Sequence, residues 1–152
     1  MVLEKQTANA IYDSGNYSDI FEQDLVEAEK RIIISSPQIT QDKIDRMIYI
    51  TRQRMEAGCK ITVITINPEG TVYGSTAHYY SMIRQMEEAG VQVIVKDEVD
   101  EHFALIDDEL VWHGGMNLLG KEDVWDNLMR IKSASVAEEL LELSLGKRND
   151  DN

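Results

Sequence analysis

Three apolar runs rich in β-branched residues constrain this chain more than any other feature. They are Ile32-Ile33-Ile34, Lys60–Ile66 (KITVITI) and Val91–Val95 (VQVIV). A run without polar alternation suits a strand covered on both faces, which is the habit of parallel sheets. Between the runs lie segments with helical periodicity. The first, from Ser18, carries Ile20, Phe21, Leu25 and Ala28 on one face, with Ser18 as N-cap and Lys30-Arg31 at the C-terminal end. The second spans Gln41 to Ala57, with Thr40 as cap, Ile44, Met47, Ile48 and Met55 inward, and Gly58 as its stop. The third follows a loop through Gly74, starts at a Ser75 or Thr76 cap and stops at Ala89-Gly90. Strand, helix, strand, helix, strand with glycine stops predicts right-handed crossovers and a largely parallel sheet.

The segment Glu101–Ile131 follows a different rule. Phe103–Ile106 and Leu110–Trp112 flank the acidic turn Asp107-Asp108-Glu109 and read as a hairpin. Gly114-Gly115-Met116-Asn117 follows, and the glycine pair lets backbone come close to a ligand or to another strand. A polar loop leads to a further strand, Leu128–Ile131, and Ser133 or Ser135 caps a last helix, Val136–Leu145. Residues 1–16 are polar and read as an arm or linker, 17–145 as one domain, and 146–152 as a polar tail.

The bulk properties exclude several classes. No apolar run approaches the roughly 20 residues that span a bilayer, and the N-terminus lacks the apolar core of a secretory signal. Cys59 is the only cysteine, so neither an internal disulfide nor a cysteine metal cluster can form within one chain. The three histidines share no close spacing, so no metal and no cofactor is expected. A cytoplasmic location follows, without membrane association. The net charge of −13 argues against tight non-specific binding of nucleic acid, which needs Lys and Arg to neutralise phosphates. There is no P-loop, no GxGxxG after a strand, no HExxH and no EF-hand loop, and Ser35-Ser36 lacks the glycines of a nucleophile elbow.

From Asp100 onward the sequence resembles a phospholipase D superfamily domain. That family's strand pair reads His-x-Lys, four residues, Asp, six residues, Gly-Ser or Gly-Gly, x, Asn. Here Asp107, six residues, Gly114-Gly115, Met116 and Asn117 fit the second half, and Asp126-Asn127 resembles the acidic-Asn pair of its nuclease members. With the upstream elements the resemblance covers Tyr17 to Leu145. The phrase FALIDDELVWHGGMNLL is similar to the phospholipase D-like domains at the C-terminus of bacterial helicase-type proteins. The resemblance implies an α/β sandwich with a mixed sheet flanked by helices. It also implies metal-independent phosphodiester chemistry: a His attacks phosphorus, Lys and Asn donate to the phosphoryl oxygens, and the Asp supports the geometry.

The first half of the motif departs from this pattern. It reads DEHFALID, with Asp100 at the His position and His102 at the Lys position. Asp100 is either an attacking carboxylate or an exposed acid. His102 is a phosphate contact, a nucleophile after a two-residue shift, or a residue that merely opens a strand. His113 lies on the strand face opposite Trp112, as a second imidazole or as a packed strand residue. Gly114, Gly115 and Asn117 are the candidates for residual phosphate binding, against plain turn roles. Asp126 would stabilise a cation in an intact site; without the Lys it pairs with Arg130 or faces water. Trp112 and Trp125 are read as core or edge packing. The candidate catalytic set is therefore His102, Asp107, Asn117, Asp100 and Asp126, and the candidate phosphate-binding set is Gly114, Gly115, Asn117 and His113.

The functional expectation is a degenerate phospholipase D-like domain, weak or inactive, serving phosphate recognition or an accessory role in nucleic-acid processing. One alternative is an active phosphodiesterase or nuclease using His102 or His113. The other is a protein-interaction or small-ligand regulatory module. Single-copy members of the superfamily pair two chains, so the resemblance implies a homodimer, with a nucleic acid or phosphodiester as ligand.

Overall fold

The computed structural model describes residues 10–69 and 75–146. The loop through Gly74, the first nine residues of the expected arm and the tail from residue 147 lie outside the described residues. The elements run β1 (Ala10–Asp13), α1 (Ser18–Val26), β2 (Arg31–Ser35), α2 (Gln41–Glu56), β3 (Lys60–Ile66), α3 (Thr76–Ala89), β4 (Gln92–Lys96), β5 (His102–Ile106), β6 (Leu110–Gly114), β7 (Asn127–Lys132) and α4 (Ala134–Leu145). They form a seven-stranded sheet of order β1-β7-β6-β5-β2-β3-β4. The β2-β3-β4 half is parallel and the remaining pairs are antiparallel. This is the expected mixed α/β sandwich.

Strand alternation divides the core into two layers. Ile32, Ile34, Val63, Ala104, Ile106, Trp112 and Leu128 face α1, α2 and α3, where they meet Phe21, Leu25, Ile44, Met47, Tyr79 and Met86. Ile33, Ile64, Phe103, Leu105 and Val111 face the other way, onto Ala137 and Leu140 of α4. The triple isoleucine is apolar without interruption because β2 sits mid-sheet with helices on both sides.

Ala10–Asp13 is an edge strand, not an arm, and pairs antiparallel with β7. Its turn residues bring Tyr17 inward, because Asn16 and Tyr17 both donate backbone N–H to the Asp13 carbonyl. Ser18 is the first helical residue rather than the cap, and Tyr17 occupies the cap position with no side-chain bond. The helix also ends at Val26, short of Lys30-Arg31. The reason is tertiary. The Asp107 carboxylate accepts the backbone N–H groups of Glu29, Lys30 and Arg31 at 2.6–3.2 Å, which holds that stretch out of the helix. Thr40 takes the cap position of α2, yet its hydroxyl donates to Asp42 instead of capping an amide. Ser75 and Ser133 cap α3 and α4 as expected.

A buried ion pair holds α1 to the far half of the sheet. Asp24 on α1 accepts from Arg130 Nε on β7 at 2.8 Å and from Trp112 Nε1 on β6 at 2.8 Å. The Asp24 and Arg130 side chains are 0% and 5% exposed. Tyr12 and Phe21 pack on the Trp112 ring at centroid distances of 5.2 and 5.4 Å. Arg130 therefore pairs with Asp24 and not with Asp126, which lies farther along, against Gly115.

Replacing Arg130 by Met strips a buried carboxylate of its cation. It should cost about 3–5 kcal/mol, read as a lower urea midpoint at unchanged slope. Adding Asp24→Leu should recover only part of that loss, because Trp112 Nε1 is then left buried without an acceptor.

Candidate functional site

The polar groups converge at the carboxyl ends of β2 and β3, where open α/β sheets hold their ligands. After β2 the chain turns through Ser36–Thr40 into α2, and after β6 the segment 115–120 lies against that turn. Ser36 Oγ donates to the Gln38 carbonyl and accepts the Leu119 N–H. Thr40 N–H donates to Leu119, and Gln38 N–H donates to Asn117 Oδ1 at 3.0 Å. An amide N–H can only donate, so the Asn117 atom facing it is the oxygen. The Nδ2 group is then the part of Asn117 that can reach a ligand. Gly120 is required by the same contact, since a Cβ there would stand 2.7 Å from the Gln38 carbonyl oxygen.

His102 opens β5 opposite Gly114 of β6. It lies on the face of Ala104 and Trp112, half-buried. Burial holds its imidazole below the ordinary 6.5, while the Gly114 backbone and the nearby Asp126 carboxylate pull the other way. The ring is therefore neutral at neutral pH. Asp126 lies against Gly115, where a Cβ would stand 2.5 Å from Asp126 Oδ1. Partial burial and a hydrogen bond with Asp123 raise the Asp126 carboxyl above its ordinary range, and His102 opposes that rise.

Beside this cluster is an open cleft of about 810 Å3. Gln38, Ile39 and Thr40 form one wall, Gly115, Met116 and Asn117 the floor, and Lys121 to Trp125 the other wall. The loop is anchored by Glu122, which accepts from Lys43 Nζ at 2.8 Å, while Lys43 also donates to Tyr17 Oη. Burial lowers the Lys43 pKa, but the bonds to Glu122 and Tyr17 outweigh it and leave the ammonium above its ordinary value.

The structure thus brings together His102, Gly114, Gly115, Asn117 and Asp126. It leaves Asp107 outside, and Asp100 and His113 at its margin, where both still act electrostatically on His102. Asp107 sits at the other end of β5, about 16 Å away at 3.3 Å per residue. Its carboxylate is filled by three amides and its backbone has φ +56°. His113 pairs with Phe103 and Met129 on the α4 face, opposite His102. Asp100 is exposed in the loop before β5. The Gly115 N–H, offered by the sequence as a phosphate donor, already donates to the Asn127 carbonyl at 3.3 Å.

Trp112 is fully buried, as expected, but Trp125 is 90% exposed and Val124 72%. Sequence reasoning missed this wall of the cleft, together with Asp123 and the 38–40 turn. The available signal was that Val124-Trp125 stands in a polar run, KEDVWDN, with no periodic apolar partners.

Fold and site together define an α/β sandwich domain with a polar cleft at the carboxyl end of its parallel strands. The chain belongs to the phospholipase D-like family: the profile described as "Cardiolipin synthase, PLD-like domain" matches residues 21–143. That membership relates it to phosphodiesterases and nucleases. Among solved structures the fold is similar to Nuc, a phospholipase D family member from Salmonella typhimurium, at TM-score 0.73 and 13% identity, over 93% of this chain and 94% of that one. It is also similar to NucT from Helicobacter pylori, at TM-score 0.63 and 13% identity, over 90% and 92%. A third similar structure is TrmBL2, an archaeal chromatin protein described as showing a novel mode of DNA binding. There the TM-score is 0.63 and the identity 14%, over 91% of this chain and 51% of that one. None of the curated proteins matches the chain. Among the described residues no group of His, Cys, Asp and Glu could hold a metal ion, and no helix is long and apolar enough to cross a membrane.

A folded-state pKa below 6.5 means that the unfolded chain binds the His102 proton more readily. The stability this contributes is complete above 6.5 and is lost as pH falls through the folded value. Denaturation from about pH 8 to about pH 5 should therefore show a steeper loss for the native protein than for His102→Gln. Gly114→Ala should destabilise more than Gly115→Ala, because the new Cβ at 114 meets the Asn127 backbone carbonyl and at 115 only a side chain. Costs of about 1–3 kcal/mol for Gly115→Ala and more for Gly114→Ala are expected from thermal unfolding.

Proposed function

We propose that this is a catalytically degenerate phospholipase D-like domain, weak or inactive toward phosphodiesters, that acts as an accessory module in nucleic-acid processing. One observation carries the reading. Where the family resemblance expects a nucleophilic His and a Lys, this chain has an exposed carboxylate, Asp100, and a neutral, half-buried imidazole, His102. Attack on a phosphodiester builds negative charge in the transition state and needs fixed donors or cations around it. Here the carboxylates of Asp126 and Asp100 act on His102 instead, with Asp123 bonded to Asp126, and negative charge there raises the barrier. Phosphate recognition then rests on the Asn117 side-chain amide, an uncharged donor.

The accessory role draws on the company the fold keeps: one similar structure is a chromatin protein described as binding DNA. With a net charge of −13, affinity for nucleic acid comes from a neighbouring domain or partner and not from this surface.

Two measurements test the reading. Incubation with bis(p-nitrophenyl) phosphate and with single-stranded DNA should give no turnover above that of a His102→Ala variant. Turnover that disappears in His102→Ala would establish an active phosphodiesterase instead. In a phosphate titration followed by NMR, the Asn117 side-chain amide should shift with millimolar affinity. The absence of any shift would remove phosphate recognition from the reading.

A further inference from the structure

The largest apolar group that the described residues leave in water is the indole of Trp125, with Val124 beside it. Both belong to the loop that walls the cleft, whose floor reaches in to the almost wholly buried Ile39 and Met116. The loop is not slack. Glu122 is tied to Lys43, Trp125 N–H donates to Asp123 Oδ1 at 2.9 Å, and Asp126 N–H donates to the Asp123 carbonyl. The indole is thus held out on a fixed turn. Near it in the loop stand the carboxylates of Asp123 and Asp126, while that of Glu122 is taken by Lys43.

Charge decides what such a wall can take. Glu122 and Lys43 neutralise each other, which leaves Asp123 and Asp126 against Lys121. His102 adds no charge at neutral pH, and Asp126 already resists ionisation beside Asp123. An anion finds the Asn117 amide on the floor of the cleft, but carboxylates along the outer wall. A cation would meet carboxylates and the negative face of an indole, the two surfaces that attract a guanidinium most strongly. A space of about 810 Å3 exceeds one guanidinium several-fold, and its apolar lining suits the carbon stem and flanking residues of a chain. The charge of −13 would steer a basic polypeptide toward the surface as a whole.

We propose that the cleft is a docking site for an arginine-bearing segment of a basic polypeptide, with the guanidinium lying on the Trp125 indole and reaching the Asp123 carboxylate. The proposal concerns a partner, and the hydrolysis assays above stand or fall separately from it.

A labelled peptide of alternating arginine and serine is the probe, followed by fluorescence anisotropy at near-physiological salt. Saturable binding is expected, together with protection of the exposed indole from iodide quenching. Trp125→Ala should weaken binding about tenfold, whereas Trp125→Phe keeps most of it. Asp123→Asn should weaken it about three- to tenfold. Glu138→Gln, an exposed acid on α4, should leave it unchanged and so separate docking from general attraction by an acidic protein. Equal binding by the native protein and Trp125→Ala overturns the proposal. So does tighter binding of single-stranded DNA than of the peptide. A sedimentation change caused by Trp125→Ala would also overturn it, since the occupant would then be a second copy of the chain.

Discussion

The carboxylate of Asp24 is the fixed point of this molecule. It is withdrawn from water on α1, and the groups that compensate it come from β6 and β7, more than eighty residues later in the chain. An isolated buried carboxylate is too costly to keep, so α1 can pack on the sheet only if Arg130 and Trp112 arrive in one geometry. That requirement sets the register of the antiparallel half. Arg130 sits opposite Trp112 across the β6-β7 ladder, and both must point to the α1 side. A one-residue slip in either strand would turn one of them to the α4 side and leave the charge alone. The ion pair contributes little net stability against an apolar substitute, but it excludes alternative pairings.

A second carboxylate performs a comparable task at the opposite end of the hairpin. Asp107 and Asp108 both adopt left-handed backbone, φ +56° and +62°, a turn that Asn or Gly occupies more readily. The cost is offset because Asp107 gathers three consecutive amides at the entry of β2 and Asp108 pairs with Arg31. Half of the acidic pattern in the family-like motif is thus spent on architecture. The cluster of His102 and Asp126 lies at the other end of β5, near Gly114 and Gly115.

The parallel half was legible because its physics is local: β-branched runs, helical periodicity and glycine stops at Gly58 and Gly90, both with positive φ. The hairpin and β7 were legible for the same reason. What was not legible depended on distant partners. The end of α1 at Val26 is decided by Asp107, and β1 is recruited as a strand only by β7. In the site, spacing pointed to Gly114, Gly115 and Asn117, which lie along one stretch from the end of β6. It could not show that the Gly115 N–H was already used by Asn127, or that Asn117 presents its nitrogen because Gln38 holds its oxygen. His113 was placed on the face opposite Trp112 by simple alternation, and that same alternation separates it from His102. Trp125 was read as packing although its polar surroundings, KEDVWDN, offer no apolar period to pack with.

The pairing of β1 with β7 and of Asp24 with Arg130 has a consequence for how the protein is made. During synthesis α1 emerges early, and its apolar face can meet β2 and α2, but its buried acid has nothing to receive it. The β2-β3-β4 unit can form as it leaves the ribosome, because its contacts are successive. The N-terminal strand and the acid of α1 must wait until Arg130 has been added and released, several seconds later at ordinary elongation rates of about 5–20 residues per second. In that interval the side of Phe21 that Trp112 later covers stays open beside the unpaired edge of β2, surfaces of the kind that chaperones bind.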